Sequence, residues 1–132
     1  MISVAYLNRD NRLENLSLIK TKIEPEFSLE KNLGRPREAA VYLLDNAIAP
    51  QGSGKVYSLL DAYDRVKSDQ KYYVFEYTLK ILNKNFFQHT LSVITASSGD
   101  LYTFTVTIPE GKYDSYRNNV MEIITSFEVN AF

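Results

Sequence analysis

Residues 71–109 contain three runs of alternating apolar and polar residues: KYYVFEYTLKIL at 71–82, FFQHTLSVITA at 86–96 and LYTFTVTIP at 101–109. The runs are rich in Tyr, Phe, Val, Ile and Thr, which suit the pleated, half-buried surface of a β-sheet. The breaks between them, NKN at 83–85 and SSGD at 97–100, are short enough for hairpins. The stretch therefore predicts a three-stranded antiparallel meander.

The same alternation predicts which side chains share a face of the sheet. A turn at Ser98-Gly99 places the following pairs opposite each other: His89 and Ile108, Leu91 and Val106, Val93 and Phe104. A three-residue first turn at 83–85 adds five apolar residues to that face, namely Tyr73, Phe75, Tyr77, Leu79 and Ile81. We expect the other face to be largely exposed or only partly covered, since it carries Glu76, Thr78, Lys80 and the threonines of the later runs.

The flanking sequence predicts two more strands at the start of the chain and two main helices. Residues 2–7 and 15–23 alternate like a pair of strands, with a polar turn at 8–12, and residues 24–34 form a connection with one helical turn. Pro36 begins an amphipathic helix of about three turns. Residues 55–66 favour a long strand, although their period also permits a helix. A helical stripe runs from Tyr113 to Phe127 and should cover the apolar face of the meander.

Composition restricts the classes of protein to consider. The 132 residues suggest a single domain spanning 1–132, and 45% hydrophobic residues are typical of a globular chain. The net charge of −1 argues against sequence-independent binding to nucleic acid. The absence of cysteine excludes disulfides, thiolate metal sites and a cysteine nucleophile. The single histidine and the lack of a G-x-S-x-G elbow argue against nucleophilic catalysis, so we expect no enzyme.

Several segments together resemble the PsbP family of extrinsic photosystem II proteins. The segments 71–81 and 86–129 are similar to the carboxy-terminal half of that family. Residues 14–18 (ENLSL) resemble its ENVSV strand, and residues 33–38 (LGRPRE) its LGSPEE helix start. The family's opening, roughly GYSF-x-YP-x-GW, is missing, and Arg35 stands where a capping Ser is usual. These similarities cover nearly the whole chain.

The resemblance implies an α+β fold, an α/β/α sandwich in which helices flank a central, mainly antiparallel sheet. It also implies a non-enzymatic accessory protein of the thylakoid lumen, in a chloroplast or a cyanobacterium, that supports the oxygen-evolving complex. Its partners would be lumenal subunits of photosystem II, or photosystem I or the NADH-dehydrogenase-like complex, with membrane association only through protein. Lys20, Lys22, Arg35 and Arg37 are candidate docking cations. A sheet edge left bare by the missing opening could recruit a second copy and form a homodimer.

The candidate metal ligands are His89 and Glu110, which the predicted register places as diagonal neighbours on one face. A His and a carboxylate can bind a transition metal, but two ligands make a weak and open site. We therefore expect no required cofactor and at most weak binding of Ca²⁺, Mn²⁺ or Zn²⁺. Some members of the PsbP family carry a similar pair. The competing interpretation is a half-buried His89 that bonds to a carbonyl or a tyrosine.

Two alternatives to docking remain open at this point. The first is a small-ligand or metal-binding module that uses the His89 end of the sheet. The second is a cytosolic hydrolase of unrelated origin, which only the missing catalytic constellation opposes.

Overall fold

The architecture is one six-stranded antiparallel sheet with helices on both faces. The computed structural model describes the backbone of residues 2–7 and all of residues 15–129. The strand order is β1-β2-β6-β5-β4-β3, and each neighbouring pair is antiparallel. The strands are β1 (Ile2–Leu7), β2 (Asn15–Lys22), β3 (Lys55–Lys67), β4 (Gln70–Ile81), β5 (Phe87–Ser97) and β6 (Asp100–Pro109). In the part of the chain that the structure describes, β1 and β3 therefore lie at the two edges of the sheet.

The helices are shorter elements placed between strands, apart from the last one. α1 (Leu29–Leu33) and α2 (Pro36–Leu43) lie between β2 and β3, and α2 continues into a π-helical turn (Leu44–Ile48). α3 (Glu110–Ser126) follows β6 directly. None of the helices in the described ranges is long and apolar enough to cross a membrane.

The helical and strand segments expected from the sequence are present. The connection after β2 contains one short helix, Pro36 begins α2, and residues 55–67 form a strand, not a helix. The expected polar turn at 8–12 lies outside the described residues. At the start of α2, Arg35 makes no side-chain cap, since a guanidinium cannot accept a hydrogen bond. The Glu38 carboxylate instead accepts the Arg35 backbone N–H at 3.2 Å.

The hairpin between β5 and β6 has the predicted register throughout. His89 pairs with Ile108, Leu91 with Val106 and Val93 with Phe104. Ser98 and Gly99 have φ angles of 52° and 81°, the pair of left-handed conformations that a two-residue hairpin turn requires. This turn fixes the face on which every side chain of the two strands lies.

The predicted register of β4 is wrong by one residue. Ile81 donates its backbone N–H to Phe86, so the loop encloses four residues instead of three. Tyr73 pairs with Ile94, Phe75 with Ser92 and Tyr77 with Thr90, which lie on the face opposite His89. Because side chains alternate along a strand, this single residue moves the whole predicted apolar set, including Leu79 and Ile81, to the other face. It also moves Glu76, Thr78 and Lys80 to the face that carries His89.

The sheet consequently has a hydrophobic core on each face. On the first face, α3 covers a core of Tyr72, Val74, Leu91, Val93, Val106, Ile108, Tyr113, Val120 and Ile124. On the second face, α1, α2 and the π-helical turn cover Leu29, Ala39, Ala40, Leu44, Tyr73, Phe75, Tyr77 and Ile94. The expectation of an exposed or only partly covered second face is therefore wrong for β4, whose apolar residues Tyr73, Phe75 and Tyr77 are buried there under the helical layer. The α/β/α sandwich itself is confirmed.

Candidate functional site

The candidate site lies on the first face, close to one end of the sheet, where β4, β5 and the start of α3 meet. His89 sits in β5, pairs across with Ile108 of β6 and is only 5% exposed. Its neighbour on the other side is Thr78 of β4. Pro109 ends β6, so that Glu110 is the first residue of α3 and stands next to His89. The predicted proximity of His89 and Glu110 is thus present in the structure.

Both ring nitrogens of His89 contact a carboxylate. Nδ1 lies 2.7 Å from Oε2 of Glu110, and Nε2 lies 2.6 Å from Oε2 of Glu76. The two carboxylates are partly exposed at the surface, whereas the imidazole between them is buried. The ring therefore bridges β4 and α3 through β5. The alternative interpretation, in which His89 bonds to a carbonyl or a tyrosine, does not match these contacts.

The hydrogen-bonding chemistry defines the state in which this bridge is complete. An ionised carboxylate only accepts hydrogen bonds, so each ring nitrogen must donate for both contacts to form. The ring with a hydrogen on each nitrogen is an imidazolium, whose charge balances part of the charge of Glu76 and Glu110. Charge-assisted bonds of this kind are roughly twice as strong as neutral ones. The cluster is therefore a compact acid–base–acid unit.

Tyr113 closes the cluster from the helix side. Its ring stacks on the imidazole of His89, with 3.4 Å between the ring centroids and 4° between the planes. The Tyr113 hydroxyl points to Oε2 of Glu76 at 3.5 Å. Burial, aided by the negative charge of Glu76, raises the pKa of the Tyr113 phenol to about 12. The phenol thus stays neutral and acts as a donor towards Glu76 over the whole physiological range.

A metal ion bound by a ring nitrogen of His89 would replace the hydrogen bond of that nitrogen with Glu110 or Glu76. Among the described residues, no group of three or more His, Cys, Asp or Glu side chains is arranged to hold a metal ion. Glu76 and Glu110 lie at opposite nitrogens of the ring, so one metal can use His89 with only one of them. The other carboxylate would then orient the ring by accepting its remaining N–H, as carboxylates commonly do beside metal-bound histidines. The donor set therefore fits a weak two-ligand site and no closed one.

Two members of this cluster were missed in the sequence. Glu76 was placed on the wrong face because of the three-residue turn assumed at 83–85. Tyr113 was assigned to core packing alone, although its stripe position also directs it at the strand that carries His89. A charged residue at 76 inside the otherwise apolar run YYVFEYTL was the available signal, since a buried-face charge needs a partner.

The candidate docking cations lie elsewhere. Lys22 of β2 lies opposite Asp100 of β6 in the strand register, beside the Ser98-Gly99 turn and near the end of the sheet away from His89. Lys20 forms an ion pair with the Asp100 carboxylate at 3.6 Å. Arg35 and Arg37 are exposed at the start of α2. The tyrosine hydroxyl of Tyr73 donates to the Gly34 carbonyl at 2.6 Å and so holds this helix start against β4.

The fold defines the class of protein: an antiparallel sheet between a long C-terminal helix and a shorter helical layer, with an acid–histidine–acid bridge near one end of the sheet. The chain belongs to the PsbP family, because the PsbP family model matches residues 3–129.

Two curated relatives and one solved structure agree with this assignment. CyanoP of Thermosynechococcus vestitus is 34% identical over 131 residues, which cover 97% of this chain and 71% of that protein. PsbP domain-containing protein 7 of the Arabidopsis thaliana chloroplast is 27% identical over 119 residues, covering 87% of this chain and 41% of that protein. The solution structure of CyanoP from Synechocystis superposes with a TM-score of 0.77 at 21% identity, covering 97% of this chain and 82% of that one.

Proposed function

We propose that this chain is a non-enzymatic accessory protein of the thylakoid lumen that docks on photosystem II and supports the function, assembly or repair of its oxygen-evolving complex. The observation that carries the proposal is the match to the PsbP family over residues 3–129, which include all of the sheet except its first residue, and the whole of α3. Relatives from cyanobacteria and from a chloroplast support a photosynthetic membrane as the setting.

The form of the molecule supports a role through surface contacts. A hydrophobic core lies on each face of the sheet, and the single histidine contacts two carboxylates instead of a nucleophile. Exposed cations at Lys22, Arg35 and Arg37 stand near the end of the sheet away from His89 and at the start of α2. Charges on an interface rim govern encounter and selectivity, so these side chains are suited to docking on acidic lumenal surfaces.

Docking is tested by rebinding the protein to photosystem II membranes that have been washed with high salt. We expect saturable binding at low ionic strength and release at about 1 M salt, since exposed charge pairs are screened. The double variant Lys22→Glu and Arg37→Glu should bind several-fold more weakly. Lys84→Glu is the matched control, because Lys84 is also an exposed cation but lies in the loop at the His89 end. Equal binding to photosystem I particles, or none to either, would contradict photosystem II as the partner.

The second candidate function is weak binding of a divalent cation at the His89 end of the sheet. Two arrangements are available, a metal between Nδ1 and Glu110 or one between Nε2 and Glu76. In both, the metal takes the place of a hydrogen and a lone pair on the ring nitrogen becomes the ligand. Transition metals such as Zn²⁺ and Mn²⁺ suit a nitrogen donor better than Ca²⁺, which prefers oxygen ligands.

Calorimetric titration with Zn²⁺, Mn²⁺ and Ca²⁺ distinguishes the two arrangements. With the metal at Nδ1, Glu110→Gln abolishes the heat and Glu76→Gln weakens binding about tenfold, because Glu76 then acts only by orienting the ring. With the metal at Nε2 the two variants exchange roles. Glu122→Gln on the exposed side of α3 is the control. Absence of heat in the wild type, or heat that persists in His89→Phe, removes this site from consideration.

A further inference from the structure

On the face of the sheet opposite to His89, a cavity of about 350 Å³ lies between the sheet and the helical layer. Its floor is formed by buried residues of the second core, among them Phe75, Tyr77 and Ile94. Its roof is formed by α2 and the π-helical turn, through Leu43, Ala47 and Ile48 and neighbouring residues. Ile19 of β2, which also lines the cavity, is 36% exposed. Pockets that hold small organic ligands have volumes of about 300–1,000 Å³.

The cavity exists because the helical layer covers the sheet unevenly. α2 packs mainly against β3 and β4, the strands on one side of the sheet. The other side of this face, on β6, presents Leu101, Thr103 and Thr105, whose side chains line the cavity. Small and medium side chains on β6 leave space beneath the helical layer, which larger residues would fill.

The π-helical turn is a second, independent feature of this place. Ala49 donates its backbone N–H to the Leu44 carbonyl at 2.8 Å, which is the five-residue spacing of a π-helix. Such turns are less stable than α-helical ones and occur frequently at functional sites. Leu44, Ala47 and Ile48 of this turn all line the cavity, so the widened turn shapes its roof.

The lining determines which chemical class fits. None of the described residues that line the cavity is charged, and most of the exposed lining is apolar. Hydroxyls are the polar exception: Ser92 Oγ and Thr105 Oγ1 lie 3.0 Å apart, and the Tyr77 hydroxyl hydrogen-bonds with the side chains of Ser92 and Thr90. Hydroxyl groups both donate and accept, so this patch can take one further polar atom. A charged group would lose its hydration there without gaining a partner, which is costly.

We propose that this cavity is a binding site for a neutral, mainly hydrocarbon small molecule that carries one hydroxyl or carbonyl group. The hydrocarbon part lies between Phe75, Ile94 and the π-helical turn, and the polar group faces Ser92 and Thr105. This site is independent of the His89 cluster, since it lies on the other face of the sheet. It is also independent of the docking proposal, because it uses none of the candidate cations.

A neutral fluorescent probe, 1-aminoanthracene, tests the proposal on the full chain. We expect one saturable site, displaced by 1-decanol but at least tenfold less effectively by decanoate of the same chain length. Ala47→Trp fills the roof from an exposed position and should weaken probe binding at least tenfold. Asn46→Trp is the matched control, since Asn46 is exposed on the same turn and does not line the cavity.

A second variant keeps the test decisive if the helical layer rearranges. Thr103→Phe fills the same space from the sheet side and should weaken binding to a similar extent, with circular dichroism used to verify the fold. Binding that both filling variants leave unchanged, displacement by decanol and decanoate to an equal degree, or no saturable binding would each overturn the proposal.

Discussion

His89 is the residue through which three elements are joined. Its two hydrogen bonds connect Glu76 of β4 and Glu110 of α3, and its ring stacks on Tyr113 one helical turn further along α3. Without a donor between them, the two carboxylates would lose their partner at a partly buried place. The cluster therefore stabilises the fold and also offers a candidate ligand for a divalent cation. Unfolding and metal titration measure these two roles separately.

His89→Phe keeps a flat ring against Tyr113 but removes both ring nitrogens, which contact Glu76 and Glu110. Leaving buried or partly buried acceptors without a donor costs about 1–3 kcal/mol, so we expect the free energy of unfolding to fall by about that amount. Urea unfolding at neutral pH measures the change. Glu122→Gln, on the exposed side of α3, should leave the unfolding free energy unchanged. A His89→Phe protein as stable as the wild type would show that the contacts of His89 with the two carboxylates add no net stability.

Tyr113 gives a separate signature at alkaline pH. Its folded-state pKa of about 12 lies above the ordinary value of 10.0, because burial and Glu76 favour the neutral phenol. The folded protein therefore holds this proton more tightly than the unfolded chain does. The resulting stabilisation is complete below pH 10 and is lost as the pH rises from 10 to 12.

Tyr113→Phe removes this titration, so its unfolding free energy should fall less steeply between pH 10 and 12 than that of the wild type. Other tyrosines with a raised pKa, such as Tyr63 and Tyr77, keep part of the slope in both proteins. Tyr42→Phe, at an exposed position of α2, is the control. Equal slopes in wild type and Tyr113→Phe would contradict the assignment.

At the scale of elements, the accuracy of each predicted hairpin register depended on how strongly the turn sequence determines the loop length. The Ser98-Gly99 turn has a specific two-residue geometry, which fixed the register of β5 against β6 and hence the proximity of His89 and Glu110. The NKN break at 83–85 has no such signature, and its true loop encloses four residues. Asn83 takes a left-handed φ of 63°. Asparagine tolerates this conformation, but an asparagine in the sequence does not by itself predict it. One residue of loop length therefore decided the face of all β4 side chains.

The one-residue error in the register of β4 shows that apolar–polar alternation does not determine the register of a strand that is buried on both faces. β4 has buried residues on both faces: Tyr72 and Val74 pack under α3, while Tyr73 and Phe75 pack under the other helical layer. With apolar residues on both sides, alternation alone cannot choose the register. Glu76 would have resolved it, because a charge on the face of His89 has a partner there and a charge on the other face would meet the apolar second core.

Arg65 of β3 holds the end of α3 in place. Its Nη2 atom donates to the carbonyls of Ile124 and Phe127, at 3.2 Å and 2.8 Å, and its guanidinium lies 4.5 Å from the centre of the Tyr72 ring. Carbonyls at a helix C-terminus have no partner within the helix, so a cation there is favourable.

Arg65→Ala should lower the free energy of unfolding by about 1.5–3 kcal/mol, the typical value of hydrogen bonds to a charged group. Backbone amide exchange should accelerate first in the last turn of α3. Lys67→Ala is the matched control on the same strand, because Lys67 makes an exposed ion pair with Glu128 at 3.5 Å, worth about 0–1 kcal/mol. Exchange in α3 that is unaffected by Arg65→Ala would show that the helix end is held by packing alone.

At the scale of the whole molecule, the two edges of the sheet differ in their protection against further pairing. β3 carries Lys55, Asp61, Asp64, Arg65 and Lys67, and its pairing with β4 is irregular between Leu59 and Asp61. Charges and bulges on an edge strand discourage pairing with another chain. Among the strands that the structure describes, β1 pairs only with β2, and its sequence, ISVAYL, has no charge, proline or glycine. The β1 edge is therefore the place where a second copy would add to the sheet.

We expect a dimer that forms through antiparallel pairing of two β1 strands and whose population rises with protein concentration. Light scattering coupled to size exclusion, from about 10 μM to 1 mM, measures the average mass. Val4→Pro should keep the protein monomeric, because proline interrupts strand pairing. Leu60→Lys is the control on the other edge, where Leu60 is 51% exposed, and should leave the dimer unchanged. A monomer at every concentration, or a dimer that survives Val4→Pro and is lost in Leu60→Lys, would assign the β1 edge no role in self-association.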